Sequence, residues 1–242
     1  MDPVISLRSA VAMVGRFPVL AGVDLEVAQG EIVLLQGANG AGKTSLLRAC
    51  AGLVRVVAGQ AVVLGHDLTV EPRAVRRQVG LLGHNTGLYE DLTALDNVLF
   101  SLRASGRFGA GGRSAPPYRT ATASAAEDAL ATLGLTGRLA STPVALLSAG
   151  QRRRVALAVL VARRPELWLL DEPHAGLDAE NRDLLDVLVR QAVVEGATVV
   201  LASHEADRAS ALAGRVVHLS GGATSGPEPS RLLRMEPGAH VA

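Results

Sequence analysis

The chain contains the segment Gly37-Ala38-Asn39-Gly40-Ala41-Gly42-Lys43-Thr44, which fits the pattern G-x-x-x-x-G-K-S/T without a mismatch. The continuous apolar run that precedes it, residues 32–35, is typical of a strand covered on both faces of a parallel sheet. A helix is predicted directly after the segment, over residues 43–51. A strand, a glycine-rich turn and a helix in this order form the context that a phosphate-binding loop requires.

The residue types in this loop suit a nucleoside triphosphate with its Mg²⁺. Glycines let successive backbone N–H groups turn toward phosphate oxygens, and the helix N-terminus adds partial positive charge. Lys43 is predicted to reach the β- and γ-phosphates and Thr44 to ligate Mg²⁺, and Ser45 is assigned to the same nucleotide site. Lys43 is also the only lysine in the sequence, which indicates a position that needs a compact ammonium rather than a planar guanidinium.

Length and composition are those of a globular protein. The 242 residues are 48% hydrophobic and 19% charged, which fits one large α/β domain or a compact core with a sub-domain. The 24 basic and 23 acidic residues give a net charge of +1, so no global basic field favours a nucleic-acid partner or an anionic membrane surface. The single cysteine, Cys50, cannot form an internal disulfide, which fits a reducing cytoplasm, and we expect it to be a small buried packing residue.

Membrane insertion and secretion are not expected from the sequence. No stretch approaches the roughly 18 consecutive apolar residues that a membrane-spanning helix needs. The first residues, Met1-Asp2-Pro3, lack the basic region and apolar core of a secretory signal. We therefore expect the chain to stay inside the cell.

The rest of the chain repeats the order of buried strand and helix. Two further apolar runs, residues 167–170 and 198–201, end in polar residues and are each followed by a helical pattern. Near the N-terminus, residues 23–27 alternate apolar and polar side chains, as a half-exposed strand does. The repetition of strand and helix predicts an α/β fold around a parallel sheet.

Residues 83–147 have a different pattern, with two helical segments and no strong strand candidate, and predict a helical sub-domain inserted into the sheet. Within it, residues 105–120 carry Gly, Pro, Arg and Ser with little periodicity, which predicts a mobile loop. Gly and Pro recur over residues 221–242, which predicts a loosely packed tail after a domain that spans residues 1–220. The two helical segments are predicted over residues 93–104 and 124–133.

A pair of carboxylates follows the second apolar run. Asp171 and Glu172 come directly after residues 167–170, at the edge of the sheet where ligands bind in open α/β folds. Because successive residues at a strand end point in different directions, Asp171 is predicted to hold Mg²⁺ while Glu172 faces the attacking water as general base. The pair thus predicts hydrolysis beside the phosphate loop.

A third motif, Leu147-Ser148-Ala149-Gly150-Gln151, precedes a helix predicted over residues 152–164. In one interpretation Ser148 is only the N-cap of that helix. In the other, the hydroxyl, the small residues and the helix N-terminus form a second anion site directed at a γ-phosphate.

With these motifs in this order, residues 5–219 resemble the ATP-binding cassette family, the nucleotide-binding subunits of ABC transporters. The resemblance implies a P-loop NTPase fold, with a RecA-like, mostly parallel sheet, a small N-terminal antiparallel β part and the inserted helical sub-domain. It also implies a head-to-tail dimer, in which Ser148 and Gly150 of one copy contact the ATP held by the other. Further motifs match at Gly176-Leu177-Asp178, the D-loop, and at His204, the switch histidine that would contact the γ-phosphate beside Glu172.

The chain departs from the family pattern at two positions. His84 stands where a glutamine commonly couples the metal site to the membrane partner, so it is assigned to the Mg²⁺ site. No clear aromatic residue precedes the phosphate loop to stack on adenine; Val14 falls near the usual place, and Phe17 is the nearest ring. His174, close to Glu172, is expected to be structural.

Within the family, the Gly83-His84 pair, the alanine at position 149 and residues 167–173 resemble the ATPase subunit of the haem exporter used in cytochrome c maturation. This resemblance implies ATP and Mg²⁺ as cofactors, and an integral membrane permease as partner. It places the chain at the cytoplasmic face of the cell membrane. Residues 84–90 and 105–120 are the expected contacts with the permease.

Two other classes of protein carry some of these motifs. A soluble ATPase of the same superfamily would serve a protein complex, such as one for iron–sulfur cluster assembly; the DNA-maintenance members carry long coiled coils, and no sustained heptad run is present here. A small-molecule kinase would share the phosphate loop but has no need of the motif over residues 147–151.

Overall fold

The computed structural model describes residues 2–105 and 116–224, which form two sheets and several helices. The strands are β1 (Ile5–Val14), β2 (Phe17–Val27), β3 (Ile32–Gln36), β4 (Arg55–Val63), β5 (His66–Asp67), β6 (Val79–Leu82), β7 (Leu167–Asp171), β8 (Thr198–Ala202), β9 (Arg215–Ser220) and β10 (Ala223–Thr224). The α-helices are α1 (Lys43–Cys50), α2 (Ala94–Ser105), α3 (Pro116–Thr132), α4 (Ala149–Arg163), α5 (Ala179–Val194) and α6 (Ala206–Leu212), and short 3₁₀ helices cover Ala74–Arg77 and Val144–Leu146.

The larger sheet has the strand order β10-β9-β3-β8-β7-β6, and its five neighbouring strands from β9 to β6 run parallel. Every residue of β7 and β8 is buried, as the continuous apolar runs predict for strands with both faces covered. Since the strands are parallel, the residues that follow β3, β7 and β8 meet at one edge. The predicted parallel sheet is confirmed, and this edge holds the candidate site.

The N-terminal sheet is antiparallel, with the strand order β2-β1-β4-β5. In β2 the side chains of Val23, Leu25 and Val27 are buried and those between them are exposed, as the alternation predicts. These buried residues share one hydrophobic core with α1 and with one face of β3. The small antiparallel β part expected from the family resemblance is therefore present.

Cys50 lies in that core, at the end of α1. Burial raises the pKa of its thiol to about 12, so the thiol stays protonated at neutral pH. Cys50 acts as a small buried packing residue, as expected.

On the other face of the parallel sheet, α2, α3 and α4 pack together around a second core. α3 begins at Pro116, inside the loop predicted over residues 105–120, and α2 extends through Ser105. The loop prediction was wrong at residues 116–120 because proline, interpreted as a helix breaker, is tolerated in the first turn of a helix. It was also wrong at residue 105, which is the last residue of α2. The remainder of that predicted loop, residues 106–115, lies outside the described residues.

The start of the predicted tail is ordered. Gly221 and Gly222 adopt φ of +58° and +80° and turn the chain into β10, which pairs with β9. The carbonyl oxygen of Gly222 accepts a 2.7 Å bond from the N–H of Ala21, and its own N–H donates to the carbonyl of Ala41. A glycine pair here makes a hairpin rather than a loose end, because it reaches a left-handed turn without strain. Residues 225–242 of the predicted tail lie outside the described part of the chain.

No helix within residues 2–105 and 116–224 is long and apolar enough to cross a membrane.

Candidate nucleotide-binding site

A cavity of about 630 Å³ opens at the carboxyl ends of β3, β7 and β8. The phosphate loop forms one wall and the ends of the two other strands form the opposite wall. The edge of β2 and the turn before β10 complete it. The lining side chains that the sequence predicts for chemistry are Lys43, Thr44, Ser45, His84, Asp171, Glu172 and His204.

Lys43 is buried against its own loop. Its ammonium Nζ donates to the carbonyl oxygen of Gly37 at 2.7 Å and to that of Ala38 at 3.1 Å. A Cβ at Gly37 would lie 2.3 Å from the carbonyl oxygen of Leu219, so only glycine allows β9 to pack against the loop. The loop thus holds one positive charge at the cavity wall, where phosphate oxygens would be stronger partners than neutral carbonyls.

Thr44 and Asp171 come together across the cavity. The Thr44 hydroxyl Oγ1 donates to Asp171 Oδ2 at 2.7 Å. A hydroxyl and a carboxylate are hard oxygen donors, and Mg²⁺ at phosphate sites uses one or two such groups together with substrate phosphates. These two residues therefore fit a magnesium ion. His84 lines the same cavity with an exposed side chain, and its role at the metal stays a prediction.

Glu172 follows β7 in a left-handed conformation, with φ of +48°. Its N–H donates to the carbonyl of Ala202 at 2.8 Å, and its Oε2 accepts from the backbone N–H of His204 at 3.0 Å. The His204 Nε2 lies 3.4 Å from Glu172 Oε1. A residue other than glycine adopts this left-handed backbone conformation only where the surrounding structure enforces it. Such residues cluster at functional sites.

Sequence reasoning missed Arg153, on α4. Its guanidinium donates to the carbonyl oxygens of Gly83 at 2.6 Å, Asp171 at 3.1 Å and Glu172 at 2.6 Å, and the residue is only 6% exposed. Burial lowers the pKa of Arg153, while the carboxylates of Asp171 and Glu172 oppose that shift. Residues 152–154 are all arginine, so no local signal distinguishes the buried member of the run.

Ser148 is the N-cap of α4, which begins at Ala149. The helix was predicted to begin at residue 152; it begins earlier because the cap stabilises a first turn that starts at Ala149. Ser148 Oγ accepts from the N–H of Gln151 at 3.2 Å, and Gln151 Oε1 accepts from the N–H of Ser148 at 2.8 Å, forming a capping box. A Cβ at Gly150 would lie 3.1 Å from the carbonyl oxygen of Gly176 in the predicted D-loop. Neither Ser148 nor Gly150 lines the cavity that contains Lys43.

Phe17 is 77% exposed and does not line the cavity, although the adjacent Pro18 and Val19 do. The stacking of an adenine on Phe17 stays a prediction. The lining residues Pro18, Val19 and Ala21 provide an apolar surface at that end of the cavity instead.

His174 lies in a buried network beside the site. Its Nε2 is 2.8 Å from Asp186 Oδ1, and Asp186 Oδ2 accepts from Arg208 Nε at 2.8 Å. These bonds join the segment that follows Glu172 to α5 and α6. The imidazole is held inside the protein rather than presented to the cavity, which agrees with the structural role expected for it.

A lysine-bearing phosphate loop after a buried strand, with an acidic pair at the end of a neighbouring strand, defines a P-loop nucleoside triphosphatase. The family model described as "ABC transporter" matches residues 20–175. The chain belongs to the ABC transporter family, as an ATP-binding cassette, and is an ATPase.

Curated relatives include ATP-binding proteins named for export and others named for import. The chain is 37% identical over 216 residues to the cytochrome c biogenesis ATP-binding export protein CcmA of Paraburkholderia xenovorans, covering 83% of this chain and 90% of that protein. It is 38% identical over 222 residues to the sulfate/thiosulfate import ATP-binding protein CysA of Caulobacter vibrioides, covering 90% of this chain and 62% of that protein.

Among solved structures, the chain is similar to a dimeric, post-hydrolysis state of the ATP-binding cassette MJ0796 bound to ADP and Pi. The TM-score is 0.80 at 26% identity, and the match covers 93% of this chain and 97% of that one. The fold class expected from the sequence is thereby confirmed.

Proposed function

We propose that the working unit is a head-to-tail dimer of this chain, closed around two Mg-ATP molecules. The observation that supports it is the separation of the motifs: Lys43, Asp171 and Glu172 line one cavity, while Ser148 and Gly150 lie outside it. A second copy would bring its own Ser148 and α4 N-terminus to that cavity, where the helix dipole favours a γ-phosphate. A cassette of similar fold that is dimeric and bound to ADP and Pi supports a dimer as the working unit.

In this dimer each residue of the cavity has a separate task. Lys43 exchanges its bonds to the loop carbonyls for bonds to the β- and γ-phosphates. Thr44 and Asp171 would hold Mg²⁺, which would supply positive charge to the phosphate oxygens. Glu172 takes the proton of the attacking water. His204, whose backbone N–H already donates to that carboxylate, contacts the γ-phosphate.

The partner is an integral membrane permease, which docks at a groove of about 220 Å³ between residues 86–89, α2 and α4. Tyr89 and Phe100 are exposed at this groove and pack edge to face, with ring centroids 4.9 Å apart. Exposed aromatic side chains beside a groove are typical anchors for a partner helix. Residues 86–89 fall within the permease contact expected from the sequence, and docking there places the chain at the cytoplasmic face of the cell membrane.

Replacing Phe100 with Glu is expected to lower the yield of co-purified permease about tenfold or more, because a charge would be buried in the apolar contact. The measurement is affinity purification from detergent-extracted membranes with identification of the bound integral protein. Val194→Glu, at an exposed apolar position on α5, is the matched control and should retain the permease. Equal yields of co-purified permease from the two variants would contradict docking of the permease at this groove. Recovery of a soluble assembly complex in place of an integral protein would favour the iron–sulfur alternative.

The cargo that we propose is haem, exported for cytochrome c maturation. The motif variants at positions 84 and 149 resemble that subgroup, and relatives named for cytochrome c biogenesis cover most of this chain. Import proteins reach similar identity, so an import substrate is the competing outcome.

Deleting the gene for this chain is expected to abolish haem-stained c-type cytochromes while cytoplasmic b-type haem proteins remain, because only the former need haem outside the cytoplasm. The wild-type chain should restore them and Glu172→Gln should not. Normal c-type cytochromes together with lost uptake of sulfate or an amino acid would contradict haem export and indicate an importer.

A further inference from the structure

We propose that Arg153 is a positioning residue for hydrolysis, which holds the backbone of Glu172 in the conformation that directs its carboxylate at the attacking water. The inference rests on the proposed role of Glu172. Arg153 donates its hydrogen bonds to backbone carbonyl oxygens, so it acts on Glu172 through the backbone.

The contacts of Arg153 are concentrated on the backbone beside the site. One terminal nitrogen, Nη2, bridges the consecutive carbonyl oxygens of Asp171 and Glu172 at 3.1 and 2.6 Å. The other, Nη1, donates to the carbonyl oxygen of Gly83 at 2.6 Å, directly before His84 in the cavity wall. A planar guanidinium can make these divergent bonds from one fixed position, which a single ammonium cannot.

The backbone of Glu172 is held at three points. Its N–H donates to the carbonyl of Ala202, its carbonyl oxygen accepts from Arg153 at 2.6 Å, and the same oxygen accepts from the N–H of Ala175 at 3.1 Å. Its side chain accepts separately from the backbone N–H of His204. The φ of +48° is unfavourable for a residue with a Cβ, so it depends on such anchors. Without the guanidinium, the peptide that follows Glu172 loses its charged donor, and the carboxylate can move away from the geometry that proton transfer requires.

The position of Arg153 on α4 adds a connection to the second copy. Arg153 follows Ser148 by five positions, about 7.5 Å along the helix axis. In the proposed dimer, α4 presents Ser148 to the nucleotide bound by the other copy. The same helix carries Arg153, which holds Glu172 in the site of its own chain. A shift of α4 would therefore move the guanidinium that holds the backbone of the general base.

Arg153→Ala is expected to lower kcat for ATP hydrolysis about 10- to 100-fold, with the KM for ATP changed less than about twofold, because only the orientation of the base is lost. Arg153→Lys should retain part of the rate, since an ammonium can reach one carbonyl at a time. The matched control is Arg163→Ala on the same helix. Arg163 also donates to three backbone carbonyls, those of Arg76, Arg77 and Val79, and none of these residues lines the nucleotide cavity.

A double-mutant cycle separates positioning from general destabilisation. In a Glu172→Gln background, adding Arg153→Ala should lower the residual turnover by less than about threefold, because the group that Arg153 positions is already absent. If Arg153→Ala and Arg163→Ala have the same kcat at a temperature where both are folded, the inference is wrong. Should the alanine variant fail to fold, Arg153→Gln takes its place in the same comparison.

The two failures are distinguishable. If Glu172→Gln alone hydrolyses ATP at the wild-type rate, the proposed role of Glu172 as general base is wrong. A strong loss with Glu172→Gln but a wild-type kcat for Arg153→Ala, or multiplying effects in the double variant, would overturn the role of Arg153 and leave the proposed function in place.

Discussion

Glu172→Gln is expected to lower ATP turnover about 10²–10⁴-fold while ATP binding and the closed dimer remain intact. The amide cannot accept the proton of the attacking water at neutral pH. Its oxygen can still accept from the N–H of His204, and its size is unchanged, so the local backbone is preserved. Phosphate release gives the turnover, equilibrium dialysis gives the ATP affinity, and gel filtration with Mg-ATP gives the dimer.

The control for this variant is Glu195→Gln, which removes the same charge at the end of α5, away from the cavity. Its turnover should equal that of the wild type. Undiminished turnover by Glu172→Gln would exclude Glu172 as the base. Loss of ATP binding in that variant would instead show that the carboxylate serves the binding of nucleotide.

Mixing Lys43→Ala with Ser148→Arg is expected to restore hydrolysis that neither variant has alone. Lys43→Ala removes the ammonium at the phosphate loop and weakens triphosphate binding, and Ser148→Arg blocks the second anion site. In a head-to-tail heterodimer both lesions fall on one site and the other site is intact. With random pairing, about a quarter of the wild-type activity should return.

The matched control mixes Lys43→Ala with Glu172→Gln. These two residues line the same cavity of one chain, so each site of the heterodimer keeps one lesion and the mixture should stay inactive. Verified heterodimers of Lys43→Ala and Ser148→Arg that remain inactive would contradict the head-to-tail arrangement. Activity in both mixtures would show that the sites are not shared in the way proposed.

Much of the fold was predictable because its signals are local. Continuous apolar runs predicted β3, β7 and β8, and the helix expected directly after the phosphate loop agrees with α1 to within one residue. The predictions of a loop at the start of α3 and of a loose tail at Gly221–Gly222 were wrong. In both cases proline or glycine was interpreted as a sign of irregular structure. Both residues also fit ordered positions, namely a first helical turn and a left-handed turn.

The sequence by itself determined the class of chemistry. A phosphate loop is made from consecutive backbone groups, so its pattern over residues 37–44 is legible without a structure. Only the tertiary structure showed which of three adjacent arginines is buried at the site. Arg153 reaches carbonyls 18, 19 and 70 residues away along the chain, and such contacts leave no local periodicity. The burial of His174 on Asp186 was likewise decided by the packing of α5 against β8 and not by the neighbours of His174 in the sequence.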